Sequence, residues 1–137
     1  MSESPLRGRT VLVIEDDDDH REVARRLLEL LGARVVPAAD GLEGLELLER
    51  QKPDAVLCDL TMPIMDGIEF ASQMRQRPKY RHVLLVAVTG RDSDADVLRT
   101  WSAGFDAHLV KPVTVEALRA IARRLSRHAA ADCSPGA

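Results

Sequence analysis

Five short apolar runs, each followed by an amphipathic stretch, repeat from one end of this chain to the other. No other feature restricts the fold as strongly. A run of three to six mostly apolar residues is too short for a core helix, and when it lacks polar alternation it must be covered on both faces. Strands of that kind, separated by helices, build a mostly parallel sheet. The runs are Val11 to Ile14, Arg34 to Pro37, Ala55 to Cys58, Val83 to Val88 and His108 to Val110.

The stretches between them carry helical periodicity. Val23, Leu27 and Leu31 fall on one stripe with Ala24 and Leu28 beside it, and Gly32 ends that helix. Asp40 can cap a second helix with Leu42, Leu45 and Leu48 inward, closed by Lys52-Pro53. Asp66-Gly67 opens a third, reaching about Arg77 before Pro78. A fourth runs from near Ser93 to Ala103-Gly104, and a fifth starts at Thr114 with Val115, Leu118, Ile121, Ala122 and Leu125 inward. The pattern predicts an α/β fold: a doubly wound (βα)5 unit with a five-stranded parallel sheet in the flavodoxin-like order 2-1-3-4-5. With 137 residues there is room for one such domain. Its expected limits are 9–127, with 1–8 an N-terminal extension and 128–137 a disordered tail where the periodicity is lost.

Composition removes several classes of function. No run approaches the roughly 20 apolar residues of a membrane span, and Met1 to Arg9 lacks the apolar core of a secretory signal, so the expected location is cytoplasmic with no membrane contact. Phe70, Tyr80, Trp101 and Phe105 are too scattered to stack nucleic-acid bases, and a net charge of -3 does not suit a general phosphate-backbone binder. No nucleic-acid partner is expected. Cys58 lies in an apolar run and Cys133 in a polar tail, which is neither a disulfide framework nor a metal-site spacing.

The informative polar residues each sit just after a strand: Glu15 and Asp16 after the first, Asp59 after the third, Thr89 after the fourth, Lys111 after the fifth. In an open parallel sheet those ends share one edge, where ligands bind. With strands one and three adjacent, Glu15, Asp16 and Asp59 share a crevice. Carboxylates so close cannot all stay ionised without a compensating cation. Hard oxygen ligands with no clustered cysteine or histidine favour Mg²⁺, with Mn²⁺ as the alternative. Asp17, Asp18 and Asp19 read differently, as an acidic cap on the first helix. A carboxylate nucleophile, a metal, a lysine and a hydroxyl around one set of oxygens describe phosphoryl transfer.

Four segments carry a family resemblance: Val-Leu-Val-Ile-Glu15-Asp16, Cys58-Asp59-Leu-Thr-Met-Pro63-Ile-Met-Asp66-Gly67, Ala87-Val88-Thr89-Gly90, and Ala103-Gly104-Phe105-Asp106-Ala107-His108-Leu-Val-Lys111-Pro112. In this order and spacing the chain resembles the receiver domain of two-component response regulators, single-domain type, over roughly Arg9 to Arg127.

The resemblance implies roles. Asp59 is expected to accept a phosphoryl group from a histidine kinase or histidine phosphotransfer protein, with Asp16 and Asp59 as direct Mg²⁺ ligands. Thr61 would complete the metal shell through its backbone carbonyl and Glu15 would act through water. Thr89 corresponds to the switch hydroxyl and Lys111 to the lysine that pairs with the phosphoryl group, with the Lys111-Pro112 bond cis. His108 stands where the family usually has Tyr or Phe as the second switch residue, so the inward state of that switch is expected to be less apolar. Val113 replaces the common Phe. The implied activity is that of a switch that catalyses only its own phosphorylation and dephosphorylation. Its output would reach a downstream protein through the face of the fourth helix, fifth strand and fifth helix, in a monomer or weak homodimer. On that face Phe105 reads as core, Trp101 suits either core or surface, and Arg119, Arg123, Arg124 and Arg127 read as a solvated stripe. The alternative is a phosphorylation-independent interaction module on the same fold. A hydrolase with an aspartyl-phosphate intermediate would need a cap that short loops do not supply, and no G-x-G-x-x-G follows the first strand to support a dinucleotide site.

Overall fold

The computed structural model describes residues 4–60, 65–90 and 100–132, with the side chains of 128–132 excluded. Strands β1 (Thr10–Ile14), β2 (Arg34–Ala38), β3 (Ala55–Asp59), β4 (Leu84–Thr89) and β5 (Ala107–Val110) form one sheet in the order β2-β1-β3-β4-β5. Every neighbouring pair is parallel. This is the predicted doubly wound order. Helices α1 (Asp18–Leu30), α2 (Gly41–Gln51) and α3 (Gly67–Arg75) follow the first three strands. The described end of α4 covers 100–103, and α5 spans Val115–Asp132. The expected start of the fourth helix near Ser93 lies outside the described residues.

Two cores, one on each face, explain why the central strands are apolar throughout. Val11, Val13, Leu57, Val86 and Val88 pack with Ala24 and Leu28 of α1 and with Leu118, Ile121, Ala122 and Leu125 of α5. Leu12, Ile14, Val56, Cys58, Leu85 and Ala87 pack on the opposite side with Leu48 of α2 and Phe70, Ala71 and Met74 of α3. Strand side chains alternate faces, so a strand between two helical layers needs an apolar residue at every step.

Two expectations about inward stripes are corrected. Val23 and Leu42 are each 51% exposed. On α1 the buried stripe is Ala24, Leu28 and then Leu31, one step round from the expected one, and Val23 lines the crevice at the sheet edge. On α2 the residues facing the sheet are Gly41, Gly44 and Leu48. A Cβ on Gly44 would lie 2.5 Å from Ile14 Cδ1, so a glycine supplies the close approach and turns Leu42 outward.

Helix ends follow local chemistry. The side chains of Asp17, Asp40 and Asp66 cap α1, α2 and α3, accepting from the backbone N–H of His20, Glu43 and Glu69 at 2.9, 2.8 and 2.9 Å. Gly104, at φ 105°, follows α4 in the left-handed conformation that ends helices. Helix α5 continues to Asp132, five residues past the expected limit at Arg127. The alanines at 129–131 are strong helix formers and carry the helix on without an apolar stripe in the sequence. Arg75 ties the end of α3 to the segments that lead into β4 and β5: its guanidinium donates to Gly104 O at 3.0 Å, Tyr80 O at 3.0 Å and Asp106 Oδ2 at 2.7 Å.

Candidate functional site

At the C-terminal edge of the sheet, Glu15 and Asp16 follow Ile14, the last residue of β1, and β3 ends on Asp59. Because β1 and β3 are neighbours with Ile14 opposite Cys58, the residues that follow fall side by side. One carboxylate oxygen from each of Glu15, Asp16 and Asp59 lies within 4.8 Å of the others. Glu15 and Asp59 are buried, at 5% and 7% exposure, whereas Asp16 is open to solvent.

Lys111 enters from the end of β5. Its Nζ lies 2.8 Å from Glu15 Oε1 and 3.5 Å from Asp59 Oδ2. Its backbone N–H donates to Thr89 O at 2.8 Å, which anchors it to the end of β4, and the Lys111-Pro112 peptide bond is cis. Burial acts against the ammonium, but Glu15 and Asp59 outweigh it and hold the Lys111 pKa above that of an ordinary lysine. A folded pKa above the unfolded value gives a stabilising contribution that is full below the unfolded pKa, about 10.4, and is lost as pH rises through the folded one. The thermal-midpoint advantage of the native chain over Lys111→Met is therefore expected to be level from about pH 6 to about 9 and to shrink above that. A decline that starts near neutrality would contradict this ion pairing.

Thr89 is buried at the last position of β4, opposite Val110. His108 is half-buried on β5 opposite Ala87, two residues before Val110 and so below the crevice edge. Thr61 lies outside the described residues. Asp17 serves as the α1 cap, and the His20 N–H it accepts holds its carboxyl below the usual range. Arg21 bonds Asp18 on the exposed start of α1, so the acidic run separates into crevice and cap.

Two residues at the crevice were not legible as such in the sequence. His20 Nδ1 lies 3.1 Å from Lys111 Nζ. Arg21 donates to the Glu15 backbone carbonyl at 2.7 Å and so fixes the turn that carries the acidic pair. The available signal was the cap: once Asp17 starts the helix, residues 20 and 21 occupy its first turn beside the strand ends. The third element that shapes the crevice is Gly67. Its N–H donates to Leu60 O at 3.1 Å, and a Cβ there would lie 2.4 Å from Asp59 O, so α3 begins in backbone contact with Asp59.

The donor set suits a small hard cation. It is all carboxylate oxygen, and the nearby Cys58 thiol is fully buried, with burial pushing its pKa well above the ordinary value, so it stays protonated.

A sequence model of the response regulator receiver domain family matches residues 11–123. Among curated proteins the chain is similar to the sensor histidine kinase CheAY of Helicobacter pylori, 39% identical over 83% of this chain and 14% of that protein. It is also similar to the response regulator MprA of Mycobacterium sp. strain KMS, 38% identical over 91% of this chain and 54% of that protein. The chain thus spans about half or less of the length of these relatives. Among solved structures, chemotaxis protein CheY4 of Vibrio cholerae superposes with a TM-score of 0.80 at 28% identity, covering 85% of this chain and 98% of that one. The receiver domain of sensor histidine kinase PA1611 from Pseudomonas aeruginosa, solved with a magnesium ion coordinated in its active-site cleft, gives a TM-score of 0.80 at 31% identity, covering 86% and 97%.

Proposed function

The chain belongs to the response regulator receiver domain family, and we propose that it is a phosphorylation-dependent switch in two-component signalling or a phosphorelay, with Asp59 accepting a phosphoryl group from a histidine kinase or histidine phosphotransfer protein. The observation that carries this reading is the meeting of Glu15, Asp16 and Asp59 within 4.8 Å, with the Lys111 ammonium against two of them. A structural ion pair alone would need one carboxylate, not three.

In this reading an Asp59 carboxylate oxygen bonds to phosphorus while the bond from phosphorus to the donor imidazole breaks, and the electron pair leaves on the ring nitrogen. Lys111 pairs with a phosphoryl oxygen, and the Thr89 hydroxyl donates to another. Asp16, Asp59 and the Thr61 carbonyl would hold Mg²⁺, or Mn²⁺, with Glu15 acting through water. Bound there, the ion supplies positive charge that offsets the carboxylates and the phosphoryl oxygens. The added charge on Asp59 draws Thr89 inward together with His108 and biases the α4-β5-α5 face, where Trp101 is 47% and Val110 41% exposed, toward a downstream protein. The chain then catalyses only its own phosphorylation and dephosphorylation.

Incubation with acetyl phosphate and Mg²⁺ is expected to add one phosphoryl group by intact mass, and the adduct should decay with time. Absence of any adduct would favour a phosphorylation-independent module. Mg²⁺ alone, at ten times its dissociation constant, should add about 1.4 kcal/mol to the unfolding free energy. A thermal midpoint unmoved by millimolar Mg²⁺ would count against metal binding by the acidic cluster.

A further inference from the structure

The Lys111 ammonium has three N–H bonds to donate, and among the described residues three side chains stand ready to accept them. Glu15 Oε1 lies at 2.8 Å, Asp59 Oδ2 at 3.5 Å and His20 Nδ1 at 3.1 Å. The phosphoryl reading uses the two carboxylates and leaves His20 without a task. An ammonium only donates, so Nδ1 must be the accepting nitrogen of the ring, with the ring proton on Nε2. Asp17 Oδ1, 3.9 Å from the same nitrogen, has no hydrogen to offer and does not compete for that lone pair. His20 is itself held through its backbone: its N–H donates to the Asp17 cap at 2.9 Å, which fixes the first turn of α1 beside the crevice. Its side chain can therefore serve Lys111 without unsettling the helix.

Two of the three partners change during phosphoryl transfer. The Asp59 oxygen becomes bonded to phosphorus, and Glu15 serves the metal through water. His20 takes part in neither event and keeps its hold on the ammonium. We propose that His20 is a positioning residue for phosphoryl transfer, its Nδ1 holding the Lys111 ammonium on the α1 side of the crevice, where it meets the incoming phosphoryl oxygen. This rests on Asp59 being the acceptor and Lys111 the partner of its phosphoryl group. Lysine is a point charge on a flexible stem, and a third acceptor reduces the ordering that remains when the donor arrives. His20 acts through Lys111 and not on phosphorus.

The test compares second-order rate constants for labelling by acetyl phosphate with Mg²⁺, read by intact mass, in the native chain and in His20→Leu, His20→Ala and His20→Asn. Leucine places a methyl group where Nδ1 lies, keeping bulk and losing the acceptor, and alanine removes both. Asparagine puts an amide oxygen at the Nδ1 position, because both atoms are bonded to Cγ. The Leu and Ala chains are expected to label about tenfold more slowly than native, the lower end of what a hydrogen bond to a charged group is worth, because His20 is exposed. His20→Asn should restore most of that loss. All three thermal midpoints should match the native one, since the cap uses the backbone. A native rate in the Leu and Ala chains, or a loss that Asn leaves unrestored, overturns the role of His20 while leaving Asp59 as acceptor. No labelling of the native chain overturns both.

Discussion

Asp59→Asn is expected to reduce labelling by acetyl phosphate and Mg²⁺ to background. The substitution keeps the size and shape of a side chain that is 7% exposed at the end of a central strand, so β3 and its pairing with β1 and β4 have no reason to change. What disappears is the anionic oxygen that must form the bond to phosphorus, and an amide oxygen is a poor substitute. Circular dichroism should show the native fold while intact mass shows no adduct. Stoichiometric labelling that persists in a folded Asp59→Asn chain would move the acceptor elsewhere, with Asp16 and Glu15 the first positions to examine.

Gly67→Ala is expected to have the next largest effect, on stability and labelling together. A methyl group at this position would sit 2.4 Å from Asp59 O and 2.9 Å from Leu60 Cα, so the obstacle is backbone rather than a side chain able to swing away. The start of α3 is also clamped to the end of β3 by the Gly67 N–H to Leu60 O bond. Relief of the clash must push α3 off the sheet or displace Asp59. Overpacking of this kind costs about 1 to 3 kcal/mol, more than the few tenths that alanine gains over glycine at a helix start. A displacement of about 1 Å at a reacting group lowers a rate by roughly a hundredfold. Gly90→Ala is the steric control, since among the described residues a Cβ there meets nothing within 4 Å and its unfolding free energy should stay within about 0.5 kcal/mol of native. A Gly67→Ala chain with native midpoint and native labelling rate would show that the contact between α3 and Asp59 yields easily.

The fold was largely legible in the sequence because burial on two faces leaves a strong mark. A strand such as Leu84–Thr89, buried at every residue, cannot be mistaken for an alternating surface strand. Legibility failed where small residues bring elements together. Counting leucines put Leu42 inward, whereas the sheet approaches α2 through Gly41 and Gly44, and nothing in the periodicity of large residues reports a glycine contact. It failed again at the end of α5, where alanines extend the helix without an apolar stripe.

The crevice divides along the same line. Glu15, Asp16, Asp59 and Lys111 can be placed at one edge from the sequence alone, because every parallel strand ends there. His20 could not, since its 3.1 Å approach to Lys111 joins residues 91 positions apart and depends on how α1 turns after its Asp17 cap. Arg75 could not either: its bonds to Gly104, Tyr80 and Asp106 exist only once α3 lies across the lower ends of β4 and β5.

By itself the sequence determined the order of strands and helices, the sheet edge that holds the charged side chains, and the separation of the acidic run into crevice and cap. These follow from periodicity and from the short-range chemistry of caps and turns, both of which act along the chain. Only the tertiary structure decided how far the carboxylates stand apart, which of them Lys111 reaches, that Gly67 sits against the Asp59 backbone, and that apolar side chains of α1 and the strands line the crevice beside the charges. Those are distances between elements, and they depend on how closely the packed side chains and glycines let one element approach another.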